Sequence, residues 1–148
     1  VQELIARDAP PSQVTIITRR YMMLISELVA AEGECRALIT GESIGQVASQ
    51  TMDSLFVTDA TVNMPVFRPL IGMDKSEIID YAKKIGTFET SILPYEDCCT
   101  VFTPKHPVTH PKLEKILASE SKLDTSALVQ KAFDERQVFM VDESEEKF

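Results

Sequence analysis

Two segments of the 148-residue chain carry residue types that could do chemistry. The first is Gly41-Glu-Ser-Ile-Gly45, which lies between the apolar run 36–40 and a helical pattern over about 46–55. Free N–H groups at a helix N-terminus favour an anion or a polar ligand edge, and ligands of open α/β sheets bind beyond the carboxyl ends of strands. Two glycines four apart also serve simply to permit a tight turn, so both interpretations stay open.

The helical pattern after Gly45 places Gln46 and Gln50 on one face at i, i+4 spacing. Side-chain amides can read a base edge or the hydroxyl groups of a ligand. The same spacing fits a solvated polar face, and spacing alone favours that interpretation. The predicted inner face of this helix consists of Val47, Ala48, Met52 and Leu55.

The second segment is the adjacent pair Cys98 and Cys99, inside an aperiodic Pro- and Thr-rich loop over 87–111. A nucleophilic or sulfur-carrying role and a role as buried free cysteine are both open for a bare pair. Cys35 precedes a predicted buried strand, where we expect a packing role. His106 and His110 are four apart without the Glu of a zinc-protease helix, and no Cys-x-x-Cys occurs, so no metal site is predicted.

Strands alternate with helices along the chain, which predicts an α/β layer architecture with parallel strands. The helix over 74–86 is the best defined, because Asp74 and Glu77 form a capping-box pattern and Gly86 closes it. The other predicted elements are an amphipathic helix over 14–32 with Ile17, Tyr21, Leu24, Ile25 and Leu28 on its inner stripe, strands over 36–40 and 65–71, and helices over 46–55, 111–120 and 125–136.

Composition and charge narrow the class of protein. A hydrophobic content of 44% supports one core and one domain. The net charge of −8 opposes a broad electrostatic surface for nucleic acid, and we expect the acidic tail 142–148 to be solvated. The odd cysteine count, the lack of a long apolar run and the lack of a signal-peptide layout favour a soluble, cytoplasmic protein. Because the first residue is Val1, we expect a piece of a longer protein.

Several strings together resemble the tRNA 4-thiouridine synthase (ThiI) family, from about residue 15 to the end. They are Thr-Gly-Glu-Ser-Ile-Gly-Gln-Val-Ala-Ser-Gln-Thr at 40–51, Arg-Pro-Leu-Ile at 68–71, Ile-Gly-Thr at 85–87 and Pro-Tyr-Glu-Asp-Cys-Cys-Thr-Val-Phe at 94–102. The resemblance implies that residues 1–148 are the C-terminal portion of a PP-loop ATP-pyrophosphatase domain, of the adenine nucleotide alpha hydrolase-like kind. That fold would appear here as a partial parallel sheet with flanking helices.

The resemblance also implies a function, an ATP-dependent tRNA uridine 4-sulfurtransferase. In this family a tRNA uridine O4 is activated as an adenylate that a sulfur nucleophile displaces, with ATP as cofactor and Mg²⁺ beside it. The nucleotide contacts map to Arg19, Gly41 and Gln50, and the catalytic cysteine maps to Cys98 with Cys99 as second choice. The implied partners are tRNA and a cysteine desulfurase or other persulfide donor, and a homodimer is left open. Some members also serve thiamine thiazole synthesis.

Two departures limit what the resemblance implies. The Ser-Gly-Gly-x-Asp-Ser loop that grips pyrophosphate in this group does not occur in the 148 residues, and neither does the RNA-binding THUMP region. We therefore expect this piece to be inactive alone, and we expect a separate protein or a small sulfide source to supply the sulfur. The alternatives are another PP-loop tRNA thiolase and a non-catalytic sulfur-carrier or interaction module.

Overall fold

The computed structural model describes residues 1–47, 49–94 and 106–140. Its elements in chain order are helix α1 (Gln2–Asp8), a 3-10 turn (Pro11–Gln13), helix α2 (Val14–Glu32), strand β1 (Leu38–Ile39), helix α3 (Met52–Asp59), strand β2 (Val66–Phe67), and helices α4 (Lys75–Lys84), α5 (Phe88–Ser91), α6 (Leu113–Glu120) and α7 (Thr125–Asp134). Helices flanking a small parallel sheet confirm the predicted α/β class. Within the described ranges, no helix has the length and apolar character that a membrane crossing requires.

The two strands form a parallel pair in which Leu38 lies opposite Val66 and Ile39 opposite Phe67. Both were predicted in place, but each is shorter than predicted. The prediction of a buried strand over 36–40 is half wrong, because Leu38 is buried whereas Ile39 is 74% exposed. Successive strand residues point to opposite faces, and the described chain covers the face that carries Leu38.

Helix α2 runs along the main core, and its predicted bounds and inner stripe are confirmed. Ile17 and Tyr21 are fully buried, and the remaining stripe residues pack against the same cluster. Burial raises the pKa of Tyr21, whose hydroxyl group hydrogen-bonds Thr125 Oγ1 over 2.9 Å. The buried members of the main cluster are Ile5, Ala9, Val14, Ile16, Ile17, Tyr21, Val57, Ile116, Leu123 and Val129.

A second buried face of α2 carries Arg20, which binds Glu120 of α6 through two hydrogen bonds of 2.6 and 3.0 Å. Arg20 also donates to the carbonyl oxygen of Val57 in α3. Both charged side chains are almost fully buried. Removing one partner of such a buried pair lowers the free energy of unfolding by about 3–5 kcal/mol. The Arg20–Glu120 pair therefore fixes how α2, α3 and α6 pack together.

Helix α4 begins and ends as predicted. The Asp74 carboxylate accepts hydrogen bonds from the backbone of Ser76 and Glu77, and the Glu77 side chain accepts from the Asp74 backbone N–H. Gly86 follows the helix with a φ of +76°, a conformation that glycine adopts without strain.

The predicted aperiodic loop over 87–111 contains a short helix, α5, which the sequence analysis missed. Helices α6 and α7 confirm the patterns over 111–120 and 125–136. Residues 95–105 and the tail 142–148 lie outside the described residues. The loop and tail assignments therefore stay predictions.

The capping interaction of α4 gives the first testable prediction. Its hydrogen bonds, above all that from the Ser76 side chain, hold the pKa of Asp74 below its ordinary value of 3.8. A lowered carboxyl pKa stabilises the fold above the ordinary value, and the effect is lost as the pH falls through the lowered pKa. Asp74→Ala should therefore reduce amide-exchange protection over 77–79 near pH 7, and its difference from wild type should narrow as the pH falls through the lowered pKa, where only a neutral acceptor remains. Asp74→Asn, which keeps the acceptor, is the control and should retain most protection near pH 7. Equal protection in Asp74→Ala and wild type at neutral pH would contradict the prediction.

Candidate functional site

The segment between β1 and α3 is a loop, so the helix predicted over about 46–55 is wrong before Met52. Helix α3 begins at Met52, after Thr51, whose side chain accepts a hydrogen bond from Ser54 N–H over 3.1 Å. Gly45 has a φ of +79°, and its N–H donates to the carbonyl oxygen of Gln50 over 3.1 Å. The loop closes on itself before the Thr51 cap allows a helix to begin.

This loop corrects two further predictions. Gln46 and Gln50 do not share a helical face, because neither lies in a helix. The predicted inner face is also wrong, since Val47 and Met52 are exposed and only Leu55 of the described members is buried. Ala48 lies outside the described residues. The residues that α3 buries are Ser54, Leu55, Val57 and Thr58.

The loops that leave the carboxyl ends of the two strands are joined by hydrogen bonds. Ser43 Oγ donates to the carbonyl oxygen of Met73 over 2.7 Å, and Ile44 N–H donates to that of Ile71 over 3.1 Å. Residues 41–45 and 71–73 therefore form one surface at the edge where ligands of parallel sheets bind.

Arg19 reaches this surface from helix α2. Its guanidinium donates to the Ser49 carbonyl oxygen over 2.9 Å and to Ser49 Oγ over 3.2 Å, and it forms an ion pair with Glu42. Arg19 thus contacts the loop on both sides, at the residue after Gly41 and at the residue before Gln50. Adjacent residues of a helix point about 100° apart, which explains why Arg20 instead enters the core beside Glu120.

Gln50 lies in the same cluster. Its side-chain Oε1 accepts a hydrogen bond from Ser43 N–H over 3.3 Å, so the amide spans the loop from its end to its beginning. The structure brings Arg19, Gly41 and Gln50 together through their direct neighbours. The contacts place these residues beside one another, and their role toward a ligand stays a prediction.

Nothing in the described part of the chain requires a glycine at position 41. Its φ lies outside the left-handed region, and no described atom comes within 4 Å of the position that a Cβ would occupy. Thr40 and Glu42 on either side are hydrogen-bonded to each other over 2.8 Å. The backbone at Gly41 is held in place with open space above it, which a ligand that lies close to the backbone would need.

The cysteine predictions have different outcomes. Cys98 and Cys99 lie outside the described residues. The packing role predicted for Cys35 is wrong, because this thiol is exposed and contacts the Gly33 carbonyl oxygen over 3.6 Å. Cys35 lies in the turn after α2 and before β1, so it does not share the burial of Leu38.

The segment that follows residues 95–105 is attached to the start of α3. Thr51 Oγ1 donates to the carbonyl oxygen of Thr109 over 2.6 Å, and His110 Nδ1 lies 2.9 Å from Asp53 Oδ2. These contacts join residues more than 50 positions apart, so no local sequence pattern predicts them. Across residues 1–47, 49–94 and 106–140, no three His, Cys, Asp or Glu side chains form a group that could hold a metal ion.

A cavity of about 460 Å³ lies away from this surface, beside Arg20, Glu120 and Thr125. The charged groups that line it already bind each other, and Asp124 caps α7 through Ala127 N–H. The candidate site therefore remains the surface formed by residues 41–45 and 71–73 with Arg19 and Gln50, which we call the strand-end surface.

Comparison with known proteins decides the family. The family described as "Thiamine biosynthesis protein (ThiI)" matches residues 1–125. The chain belongs to the ThiI family. A protein of Alkaliphilus oremlandii named "Probable tRNA sulfurtransferase" is 62% identical over 138 residues, which are 93% of this chain and 35% of that protein. One of the same name from Acetivibrio thermocellus is 59% identical over 95% of this chain and 36% of its own length.

A solved structure also matches the fold of this chain. It is described as "Crystal structure of a 4-thiouridine synthetase - RNA complex with bound ATP", is 40% identical and superposes with a TM-score of 0.89 over 95% of this chain. The match covers 37% of that solved chain. This ThiI chain therefore spans about a third of the length of its relatives, and it has the fold of the corresponding third.

The two glycines of the loop give the second testable prediction. Gly45→Ala should lower the free energy of unfolding by about 1–2 kcal/mol, because an L-residue is strained at positive φ. Gly41→Ala should change it by no more than about 0.5 kcal/mol in the unfavourable direction, because open space receives the methyl group. Urea denaturation measures both, and equal destabilisation by the two variants would contradict the described loop.

Proposed function

We propose that this chain is the C-terminal part of the nucleotide-binding catalytic domain of an ATP-dependent tRNA uridine 4-sulfurtransferase. The observation that carries the proposal is the fold match over 95% of the chain to a 4-thiouridine synthetase solved with RNA and ATP. The relatives named as probable tRNA sulfurtransferases support the same activity. The chain that lies outside the matched third in these relatives would supply the remaining parts of the enzyme.

The proposed ATP site is the strand-end surface that carries Arg19, Gly41 and Gln50. The open space above the Gly41 backbone supports it, because a Cβ there would fill space that the described protein does not use. A guanidinium pairs with phosphate or stacks on adenine, and an amide reads a purine edge. Mg²⁺ would accompany the ATP phosphates, and the described residues contribute no metal-binding group of their own to this proposal.

The proposed chemistry has two stages. The tRNA uridine O4 attacks the α-phosphate of ATP and releases pyrophosphate. The outer sulfur of a cysteine persulfide then displaces AMP, and a second thiol breaks the sulfur–sulfur bond, which releases 4-thiouridine and leaves a disulfide that a cellular dithiol reduces. We assign the persulfide to Cys98, with Cys99 as the second candidate, and assign its outer sulfur to a cysteine desulfurase or other persulfide donor. The proposed location is the cytoplasm, where tRNA and ATP are available. A homodimer belongs to the same proposal, as does a second role in thiamine thiazole synthesis, which the family description "Thiamine biosynthesis protein" supports.

The ATP site gives the third testable prediction. In a full-length protein that carries this chain, Gly41→Ala should weaken ATP binding about tenfold or more, because a methyl group would occupy the space proposed for the ligand. Gly33→Ala is the control, since this glycine ends helix α2 outside the proposed site, its φ of −81° suits any residue, and a Cβ there would meet no atom closer than 3.5 Å. Calorimetric titration with ATP measures both. Wild-type affinity in Gly41→Ala would remove the site from this surface.

The thiol assignment gives the fourth testable prediction. Cys98→Ser should abolish 4-thiouridine formation and leave ATP binding and tRNA adenylation intact, because those steps need no thiol. Nucleoside analysis of digested tRNA measures the product, and it also separates 4-thiouridine from the 2-thiouridine of other PP-loop thiolases. Cys35→Ala is the control at an exposed thiol and should keep full activity.

Cys99→Ala distinguishes the two adjacent thiols. Full activity in this variant would leave Cys98 as the sole nucleophile, and inactivity would mean that the pair works as a unit. Unimpaired thiolation by Cys98→Ser would overturn the assignment.

A further inference from the structure

Glu42 is a buried carboxylate whose two oxygens have different partners. Oε1 pairs with Arg19, whereas Oε2 accepts from Arg68 Nε over 2.6 Å and from Thr40 Oγ1 over 2.8 Å. Its side chain is 9% exposed. A buried carboxylate keeps its charge where cations and donors surround it, so these contacts hold the group in one orientation.

The ion pairs continue beyond Glu42 into the rest of the fold. Arg68, which follows β2, also binds the Asp59 carboxylate through both terminal nitrogens, one of them at 3.2 Å. Asp59 is the last residue of helix α3. A chain of four charges, Arg19, Glu42, Arg68 and Asp59, thus connects α2 to the strand-end surface and to the far end of α3.

The two residues that Arg19 contacts differ in how they are attached to the rest of the fold. Ser49 belongs to the loop itself, whereas Glu42 is attached through Arg68 to a strand and a helix. The Glu42 contact therefore sets where the Arg19 guanidinium lies relative to the sheet, and the same carboxylate fixes the backbone on one side of Gly41.

We propose that Glu42 is a positioning residue of the nucleotide site, which aligns Arg19 and the Gly41 backbone for ATP without contacting the nucleotide, and that Arg68 acts through it. This inference rests on the ATP site proposed above. It adds two residues, Glu42 and Arg68, whose effect on ATP is transmitted through Arg19 and the loop.

A matched pair of buried carboxylates tests the proposal in a full-length protein that carries this chain. Glu42→Gln should weaken ATP binding about tenfold in calorimetric titration, because the neutral amide no longer holds the guanidinium. Glu120→Gln is the control, since Glu120 is buried to a similar extent and is also held by an arginine, though by one and not two, and it lies in α6 instead of the loop. It should lower the unfolding midpoint to a similar degree and leave ATP affinity within about twofold of wild type.

Variants at both ends of the ion pair show whether Glu42 acts through Arg19. The double variant Arg19→Gln with Glu42→Gln should lose less ATP affinity than the two single losses added together, because part of the effect of Glu42 passes through Arg19 and contacting residues are not additive. Arg68→Gln should reproduce the weakening caused by Glu42→Gln, and it keeps the test decisive if Glu42→Gln does not fold.

The outcomes separate this inference from the proposed function. Wild-type or tighter ATP binding by Glu42→Gln, or by Arg68→Gln where only that variant folds, combined with weak binding by Arg19→Gln, would overturn the positioning role alone. Fully additive losses in the double variant would also overturn it. Wild-type ATP binding by both Arg19→Gln and Gly41→Ala would instead overturn the ATP site itself.

Discussion

Two adjacent arginines of helix α2 each hold a buried carboxylate, and the carboxylates come from opposite parts of the chain. Arg20 binds Glu120 inside the core, and Arg19 binds Glu42 at the surface beyond the strands. A buried carboxylate without a cation would be costly enough to change the fold, so both pairs constrain where their elements lie. Helix α2 thereby makes one ion pair with the C-terminal helices and a separate one with the candidate site, from adjacent residues.

The sheet that supports this site is small, with two residues in each strand. Its parallel register nevertheless directs both following loops to the same edge, and the bonds from Ser43 and Ile44 to the loop after β2 join them. The open space at Gly41 lies on this joined surface. A loop of this length holds its shape here through side-chain contacts, because it lacks the regular backbone bonds of a helix or strand.

Local sequence patterns correctly predicted the helix features that depend on contacts between residues close together in the sequence. The capping box of Asp74 and Glu77 joins residues three apart, and the stripe of α2 repeats at helical spacing, so both were found. The helix over 46–55 was wrong because Gly45 at positive φ and the Thr51 cap override its apolar period. Pairs such as Arg20 with Glu120 have no signature in a single sequence. The grouping of Arg19, Gly41 and Gln50 came from family resemblance, not from spacing.

The long separation between Arg20 and Glu120 has a consequence for folding during synthesis. Helix α2 can form soon after it leaves the ribosome, but Arg20 has no partner until Glu120, 100 residues later in the chain, has been synthesised. At a synthesis rate of about 5–20 residues per second, this interval lasts roughly 5–20 s. During this interval the inner face of α2 lacks both its ion pair and the contact of Tyr21 with Thr125. The part of the apolar stripe that α6 and α7 cover therefore stays exposed in the nascent chain until those helices have been synthesised.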